Sequence, residues 1–324
     1  MPPVITNEIE IPGEDVIRES VKIREQSVHP VSAKEEYAKN PKLKKSDIDQ
    51  LNEWVKSQSH LPPDITEEQL ILFHHSCYYK MEDTKNCINI YYTLRIGTPE
   101  YFVRRDVTHS SLQQALNVLE YGVFPVRDPN GYQIIFHRLK IFDASKYVFQ
   151  DGVKLLSMAI DACLHVDGTA PGYIFLFDMR GVKLTHLTRL SLGALKKFFL
   201  YVQEGLPVRL KAIHVLNTKP LIDKIMILVR PFMKKELLNM IHFHGCDELE
   251  EVYESLPRSC LPSDFGGDLP SCEELYQQYI EWMKKLKKFF EEDEKKFILV
   301  NVNLKKDIDL KVDTEPSLQS LEID

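Results

Sequence analysis

Apolar residues recur every three to four positions in the first third of the chain, which is the spacing of amphipathic helices. One such stretch covers Ser46–Gln58, and a turn with two consecutive prolines follows it. Thr66, with Gln69 three residues later, has the sequence of a capping box and predicts the start of a second helix. A third apolar face covers Met81–Arg95. The pattern therefore predicts a compact helical domain that ends near Arg105.

Beyond Asp106 the pattern changes to extended segments that alternate with helical ones. The predicted strands are Gln133–Leu139, Tyr173–Phe177, Val208–Leu216 and Ile241–His244, and the predicted helices are Ser111–Tyr121, Tyr147–Cys163, Leu187–Glu204 and Cys272–Phe290. The apolar run at Tyr173–Phe177 fits a strand buried on both faces, although a buried helix would show the same pattern. Strands that alternate with helices predict an α/β fold with a mixed or parallel sheet covered by helices.

The segment Leu221–Met233 is more apolar than an ordinary surface helix. It has only three charged residues, and 225–229 is an unbroken apolar run. An amphipathic helix needs an apolar stripe on one face only, whereas a membrane span needs about 20 apolar residues. A lid that covers a hydrophobic cavity in one state and meets a membrane in another would explain both observations. Pro231 lacks a backbone donor and is predicted to bend or end this helix.

Composition and charge exclude several classes of protein. The chain has 44% hydrophobic and 27% charged residues, values that are ordinary for a soluble globular protein. A formal net charge of −7 argues against a nucleic acid as the main partner, because phosphate binding depends on clustered cations. The first 15 residues have no secretory signal pattern, so we expect an intracellular protein whose six cysteines are reduced.

Candidate catalytic and metal-binding residues are few. His74, His75 and Cys77 lie close together in the sequence, but no second group with ligand spacing follows, so side chains on a helix face are the simpler interpretation. The chain has no nucleophile elbow, P-loop or dinucleotide-binding fingerprint. Asp178 is more simply a strand-end residue and His186 a satisfied core or rim histidine. We therefore predict no enzymatic activity, no metal and no cofactor other than a bound hydrophobic ligand.

Six short motifs occur in a specific order along the chain. They are RDPNG (127–131), FDMRG (177–181), PVRLKAIHVLN (207–217), RPF (230–232), HFHG (242–245) and LPSDFGG (261–267). In this order they resemble the CRAL-TRIO lipid-transfer family, most closely arthropod proteins similar to α-tocopherol transfer protein. The resemblance covers about 46–271, and the ending at 317–324 resembles the arthropod branch.

The resemblance implies a domain organisation and a mechanism. A polar amino-terminal segment (1–45) would precede a helical domain (46–105), a CRAL-TRIO lipid-binding domain (106–271), and a carboxy-terminal helix with an acidic tail (272–324). A gate helix at about 217–240 would close the α/β cavity and open at a membrane. The apolar segment Leu221–Met233 lies within this gate.

Candidate ligand contacts follow from positions on the predicted elements. The candidate cavity residues are Val153, Leu156, Ile160, Phe175, Phe177, Leu184, Leu190, Phe198, Tyr201, Val202, Val208, Leu210 and Ile213, and the gate residues are Ile222, Ile225, Met226, Val229 and Met233. For any single one of them, ordinary core packing is an equally good interpretation, because burial is the default for apolar residues.

Two cations form the candidate site for a phosphoinositide head group. Period-two alternation along a strand would place Arg209 and Lys211 on one face and Val208, Leu210 and Ala212 on the other. The family uses matching positions to hold a phosphoinositide. A solvated basic strand end is the alternative interpretation.

The chain departs from the family's tocopherol-transfer members at several positions. It has Met240 at the end of the gate, where those members carry a basic residue, and His75 at another basic position. Leu156 and Ile160 stand where those members carry serines.

The leading hypothesis is a cytoplasmic carrier that binds one hydrophobic molecule, such as a tocopherol, a retinoid or a carotenoid, and exchanges it during transient membrane association. The expected partners are this ligand and a membrane surface with phosphoinositides, and we expect a monomer. The alternative is a phosphoinositide-sensing membrane-trafficking adaptor that binds phospholipid. A hydrolase or isomerase is disfavoured because the nucleophile motifs are missing.

Overall fold

The computed structural model describes residues 27–218, 221–246 and 249–297. Within them, six helices precede the first strand: α1 (Ala33–Lys39), α2 (Lys45–Lys56), α3 (Glu67–Ser76), α4 (Met81–Gly97), α5 (Pro99–Phe102) and α6 (Ser110–Val118). The predicted capping box precedes α3: the Thr66 hydroxyl accepts from the Gln69 backbone N–H at 3.3 Å, and the Gln69 side-chain oxygen accepts from the Thr66 N–H at 3.1 Å. The predicted acidic tail and the ending at 317–324 lie outside the described residues.

Five strands of the described residues form one sheet: β1 (Leu119–Arg127), β2 (Gln133–Leu139), β3 (Tyr173–Asp178), β4 (Leu210–Leu216) and β5 (Ile241–Phe243). They lie in sequence order, with β1 antiparallel to β2 and the other pairs parallel. The remaining helices are α7 (Phe149–Val166), α8 (Leu184–Leu187), α9 (Leu192–Leu200), α10 (Ile222–Val229), α11 (Lys235–Leu238), α12 (Leu249–Ser255) and α13 (Cys272–Lys285), and helical structure follows over 287–297. A mixed sheet with helices around it confirms the predicted fold class.

Two predicted helices have different ends in the structure. The helix predicted to reach Tyr121 ends at Val118, because the next residues pair with β2, Tyr121 opposite His137. The long helix predicted over Leu187–Glu204 is divided into α8, α9 and a π-helical turn at 201–205. The Ser191 hydroxyl starts α9 by accepting from the backbone N–H of Ala194 at 3.1 Å.

The sheet has a hydrophobic cluster on each face. Phe175 and Phe177 of β3 belong to the larger cluster, which also contains α7, whereas Ile174 and Leu176 belong to a second cluster with residues of 252–275. The larger cluster is continuous from Leu43 in the helical region to 297. It crosses the predicted boundaries after residues 45, 105 and 271, which remain predictions.

A β-bulge in β4 changes which face its residues occupy. Consecutive residues of β3 pair with Leu210 and Ala212, so Lys211 is the extra residue of the bulge. Val208 and Leu210 pack against the larger cluster, but Ala212 packs against the second cluster on the opposite face. The prediction that these three apolar residues share one face is therefore wrong, because the bulge shifts the alternation by one position.

Candidate functional site

An apolar cavity of about 220 Å³ lies between the sheet and helix α10. Its walls come from β2, β3, the first turns of α7, the segment around α8, and α9, and α10 closes one side. The lining includes seven residues that the sequence predicts as cavity or gate residues: Val153, Leu156, Phe177, Leu190, Phe198, Ile225 and Val229. Apart from two histidines, Tyr147 and Asp178, all side chains of this lining are apolar. Such a site suits a hydrophobic ligand with few polar groups.

The other predicted residues lie elsewhere. Ile160, Phe175, Tyr201 and Ile213 are buried in the larger cluster, Val202, Val208 and Leu210 are half-buried against it, and Leu184 is exposed. The remaining gate residues, Ile222, Met226 and Met233, are half-buried. None of these residues lines the cavity as the structure describes it. Their roles in ligand binding stay predictions.

Helix α10 has no buried residue, unlike the other walls of the cavity. Ile225 and Val229 face the cavity, while Ile227 is 77% exposed. The α-helix ends at Val229, and Pro231 lies in the following 3₁₀ turn, as its missing backbone donor predicts. The two apolar faces of this helix therefore have different surroundings, one towards the cavity and one towards solvent.

Several segments that line the cavity also carry exposed apolar side chains. Each lies within three residues of a lining residue: Phe142, Val148, Leu184, Leu192 and Ile227. We call this group the apolar rim. The ring of Phe142, a member of this rim, packs directly on the backbone of Gly181. A Cβ atom at position 181 would lie 2.1 Å from that ring, and the φ of Gly181 is +80°, so both the space and the backbone conformation favour glycine there.

Sequence reasoning missed several lining residues. Tyr147 and Phe149 lie at the start of α7, and only their position in an apolar segment could have indicated a role. His186 also lines the cavity, and its Nε2 has no hydrogen-bond partner among the described residues. The interpretation of His186 as a satisfied histidine is therefore wrong for this atom. His137 is the second histidine of the wall.

Asp178 holds the turn after β3 in place. Its carboxylate accepts from the backbone N–H of Arg180 at 2.9 Å, from Arg180 Nη2 at 3.0 Å and from Asn217 Nδ2 at 2.7 Å. Asn217 itself has a φ of +58° and lies at the start of the gate segment. The carboxylate thus joins two chain turns at one end of the sheet, in the structural role that its strand-end position predicts.

The two predicted phosphoinositide-binding cations meet at one place on the surface. Arg209 Nε donates to the carbonyl oxygen of His75 at 2.9 Å, and its guanidinium lies 4.2 Å from the ring centroid of Tyr78. Lys211 Nζ donates to the Tyr78 hydroxyl at 3.0 Å. Burial, together with the nearby Arg209 charge, lowers the pKa of His75 to about 3, so this ring adds no charge at neutral pH.

His74 has a packing role. Its Nδ1 lies 3.0 Å from the Thr84 hydroxyl in the buried space between α3 and α4. In the parts of the chain that the structure describes, no three His, Cys, Asp or Glu side chains are grouped in a way that could hold a metal ion.

A second cavity of about 460 Å³ lies between the helical region, the end of α7 and the helical residues 287–297. Its lining includes Asp161 and Asp293, two buried carboxylates. Asp161 accepts from Arg95 Nη2 at 2.6 Å and from Arg105 Nη1 at 2.8 Å, and Asp293 accepts from Arg105 Nη2 at 2.7 Å. We call these four residues the buried ion cluster. A wall with buried carboxylates is less suited to a hydrophobic ligand than the cavity under α10.

Two protein families and several known proteins are similar to parts of this chain. Residues 119–267 match the family described as "CRAL/TRIO domain", and residues 40–112 match "Pinta-like, UBA domain". The human protein "Alpha-tocopherol transfer protein-like" is 26% identical over 237 residues, which are 72% of this chain and 68% of that protein. Clavesin-1 of Rattus norvegicus is 24% identical over 244 residues, 74% of this chain and 68% of that protein. The crystal structure of Sfh5 has a TM-score of 0.49 at 13% identity and covers 76% of this chain and 97% of that chain.

These relatives are mammalian, so they give no support to an arthropod placement. No described helix has both the length and the apolar character that crossing a membrane requires.

Proposed function

We propose that this chain, in which residues 119–267 form a CRAL/TRIO domain, is a carrier that holds one hydrophobic small molecule under α10 and exchanges it at membranes. The observation that carries this proposal is the apolar cavity closed by a helix without a buried residue. A helix that buries none of its residues loses less apolar contact when it moves than any other wall of the cavity would. The lid can therefore open without unfolding the domain around it.

The size of the cavity supports a moving lid. At about 220 Å³ it is smaller than the roughly 300–1,000 Å³ of typical small-molecule sites. A ligand larger than a simple fatty acid therefore needs α10 to move outward. Asn217, which has a left-handed backbone, precedes this helix, and Pro231 follows it in a 3₁₀ turn.

The apolar rim supports exchange at a membrane. Its five side chains belong to the segments that line the cavity, each within three positions of a lining residue, and are exposed to water. Exposed apolar groups of this kind mark interaction surfaces, and insertion into the boundary of a bilayer would remove them from water. Ligand could then pass between cavity and bilayer beneath the same helix. We propose a cytoplasmic monomer that associates transiently with membranes and has no enzymatic activity.

The ligand class that we propose is an isoprenoid-like molecule, such as a tocopherol, a retinoid or a carotenoid. The name of the relatives, alpha-tocopherol transfer protein-like, supports this class. Leu156 lies in the cavity wall, so part of the wall that carries serines in the tocopherol-transfer members is apolar here.

A second candidate function is a phosphoinositide-sensing adaptor that binds phospholipid. The observation that favours it is the pair formed by Arg209 and Lys211, which share contacts with one exposed tyrosine ring. In the carrier proposal the same cations assist membrane binding. The two functions differ in what occupies the cavity.

Native mass spectrometry of the purified protein tests the proposal. After exposure to tocopherols, retinoids, carotenoids and phospholipids, we expect a complex with one apolar small molecule per chain. Val153→Phe should abolish uptake, because Val153 lines the cavity and a ring would fill it. Leu72→Phe, in the wall of the second cavity, is the matched control and should leave uptake intact. Only bare chain in every case would refute the carrier, and phospholipid alone would favour the adaptor.

A further inference from the structure

His186 places a buried hydrogen-bond donor at the wall of the apolar cavity. The residue is 3% exposed, and its Nδ1 accepts from the backbone N–H of Lys183 at 3.0 Å. A neutral imidazole carries one proton, so a ring whose Nδ1 accepts must carry that proton on Nε2. Burial lowers the pKa of His186, which keeps the ring neutral at physiological pH. The Nε2–H group is therefore a donor, and it has no partner among the described residues.

His137 has the opposite tautomer in the same wall. Its Nδ1 lies 3.2 Å from the carbonyl oxygen of Glu120, which can only accept, so the proton is on Nδ1 and Nε2 is an acceptor. Burial lowers the pKa of His137 to about 4, and the neutral ring is stacked on Tyr121 with its centroid 4.3 Å away. The cavity wall thus contains one imidazole donor and one imidazole acceptor.

The other polar side chains of the wall differ from these two. Asp178 already accepts from Arg180 and Asn217. Tyr147 packs edge-on against His186, with the ring centroids 5.6 Å apart. An unpaired buried donor costs free energy that a hydrogen bond from a ligand would recover. The donor that most needs a ligand atom is therefore Nε2–H of His186.

We propose that His186 selects ligands that carry an oxygen, with Nε2–H donating to the hydroxyl of a hydrophobic alcohol or phenol. His137 Nε2 offers an acceptor for a hydroxyl proton, which an ether or an aldehyde lacks. A pure hydrocarbon would satisfy neither ring. This inference rests on the proposed carrier function and adds to it the chemical class of the ligand, favouring hydroxylated isoprenoids over hydrocarbon carotenes.

Three probes with the same fifteen-carbon chain test the selection: farnesol, farnesyl methyl ether and farnesene. Their uptake from phospholipid vesicles is measured for the wild type and for His186→Asn. Asparagine can still accept from the Lys183 amide, but it is too short to place a donor where Nε2 lies. We expect the ratio of farnesol to farnesene uptake to be about tenfold lower in the variant, with the ether between them. Each probe partitions into the vesicles to the same extent whichever protein is present. Differences in partition therefore cancel when the ratio is compared between the two proteins.

His60→Asn is the matched control, because it makes the same exchange at a histidine outside the cavity wall, where the His60 ring lies beside Asn89. We expect it to keep the wild-type ratio. A variant-free measurement accompanies these: the ¹⁵N and ¹H resonances of the His186 Nε2–H group in the wild type should shift on binding of farnesol and not on binding of farnesene.

The outcomes separate the two proposals. Equal ratios in wild type and His186→Asn, or an unmoved Nε2–H resonance with farnesol bound, would overturn the selection while the carrier function stands. If the wild type takes up none of the three probes, and no tocopherol or retinoid, the carrier function fails and the selection fails with it.

Discussion

Tyr78 lies across Arg209, with the guanidinium carbon 4.2 Å from the ring centroid, and the same tyrosine accepts a hydrogen bond from Lys211 through its hydroxyl. Tyr78 and Tyr79 both have left-handed backbones, with φ of +54° and +64°, directly after α3. The Tyr78 side chain is 54% exposed. A half-exposed ring that touches two cations is a suitable contact for an anionic membrane interface, where tyrosine has an apolar body and a polar tip.

We predict that replacing Arg209 and Lys211 together with alanine weakens binding to phosphoinositide-containing vesicles. Cations near an anionic surface contribute on the order of 1 kcal/mol each, so the loss should be about tenfold or more at low salt and smaller at high salt. Vesicle co-sedimentation at two salt concentrations measures it.

The matched control for this prediction replaces two cations elsewhere, Lys284 and Lys288, with alanine and changes the net charge by the same amount. Both lie on the carboxy-terminal helical residues, where Lys284 pairs with Glu281 and Lys288 with Glu292. An equal loss of binding in the control would show that overall charge, and not this site, controls the affinity.

Helix α10 provides a pair of adjacent positions that separate gating from stability. Ile227 is exposed, whereas Leu228 packs against the larger cluster. We expect Ile227→Gln to slow ligand transfer between vesicles severalfold and to change the free energy of unfolding by less than about 0.5 kcal/mol. Leu228→Gln should instead lower the free energy of unfolding by about 1–3 kcal/mol. Transfer rates and thermal melts on both variants test this, and unchanged transfer in Ile227→Gln would contradict the lid.

The buried ion cluster should be costly to break. Replacing Asp293 with asparagine leaves Arg95 and Arg105 with only the Asp161 carboxylate and the more exposed Glu294 near Arg105. We expect a loss of about 3–5 kcal/mol in the free energy of unfolding by urea, because the two buried guanidiniums then share a single fully buried carboxylate. Arg258→Met, which breaks an exposed pair with Glu250, is the control and should cost about 1 kcal/mol or less.

His214 should make the protein less stable in mild acid. Its Nδ1 lies 3.0 Å from His244 Nε2, and burial together with His244 and His242 lowers the pKa of His214 to about 4. The unfolded chain binds the proton near pH 6.5, so stability is unaffected above that pH and falls as the pH decreases towards 4. The slope from this group is at most about 1.4 kcal/mol per pH unit.

His214→Gln should remove that part of the slope. The difference between the urea unfolding curves of wild type and variant, measured from pH 7.5 to 5, isolates this group from the other buried histidines. Parallel pH dependences in the two proteins would show that folding does not lower the pKa of His214.

Local signals were sufficient for most of the fold. The capping box at Thr66 and the buried run of β3 depend on neighbouring residues, and the structure confirms both. The start of β1 could not be predicted in this way, because 119–121 become a strand only through pairing with β2. The bulge at Lys211 is also a property of the pairing between two strands, and it reversed the predicted face of Ala212.

The cavity was predictable in part for the same reason. Leu156 and Phe177 lie on regular elements whose inner face can be read from the apolar spacing, and both line the cavity. Tyr201 has the same apolar appearance, but its hydroxyl accepts from Arg95 in the buried ion cluster at 2.8 Å. The polar role of His186 depends on which of its nitrogens meets the Lys183 amide, and no sequence pattern contains that information.

The buried ion cluster also determines the shortest piece of this chain that can be excised intact. Two of its members precede the matched CRAL/TRIO residues 119–267, one lies within them, and Asp293 lies 26 positions beyond their end. A fragment cut at the limits of that match would lose both arginines and leave the Asp161 carboxylate without them. A fragment that began earlier but stopped at 267 would keep both arginines with only the Asp161 carboxylate to neutralise them. We therefore expect the autonomous unit to extend in both directions past the matched residues, from the helical region to at least 293.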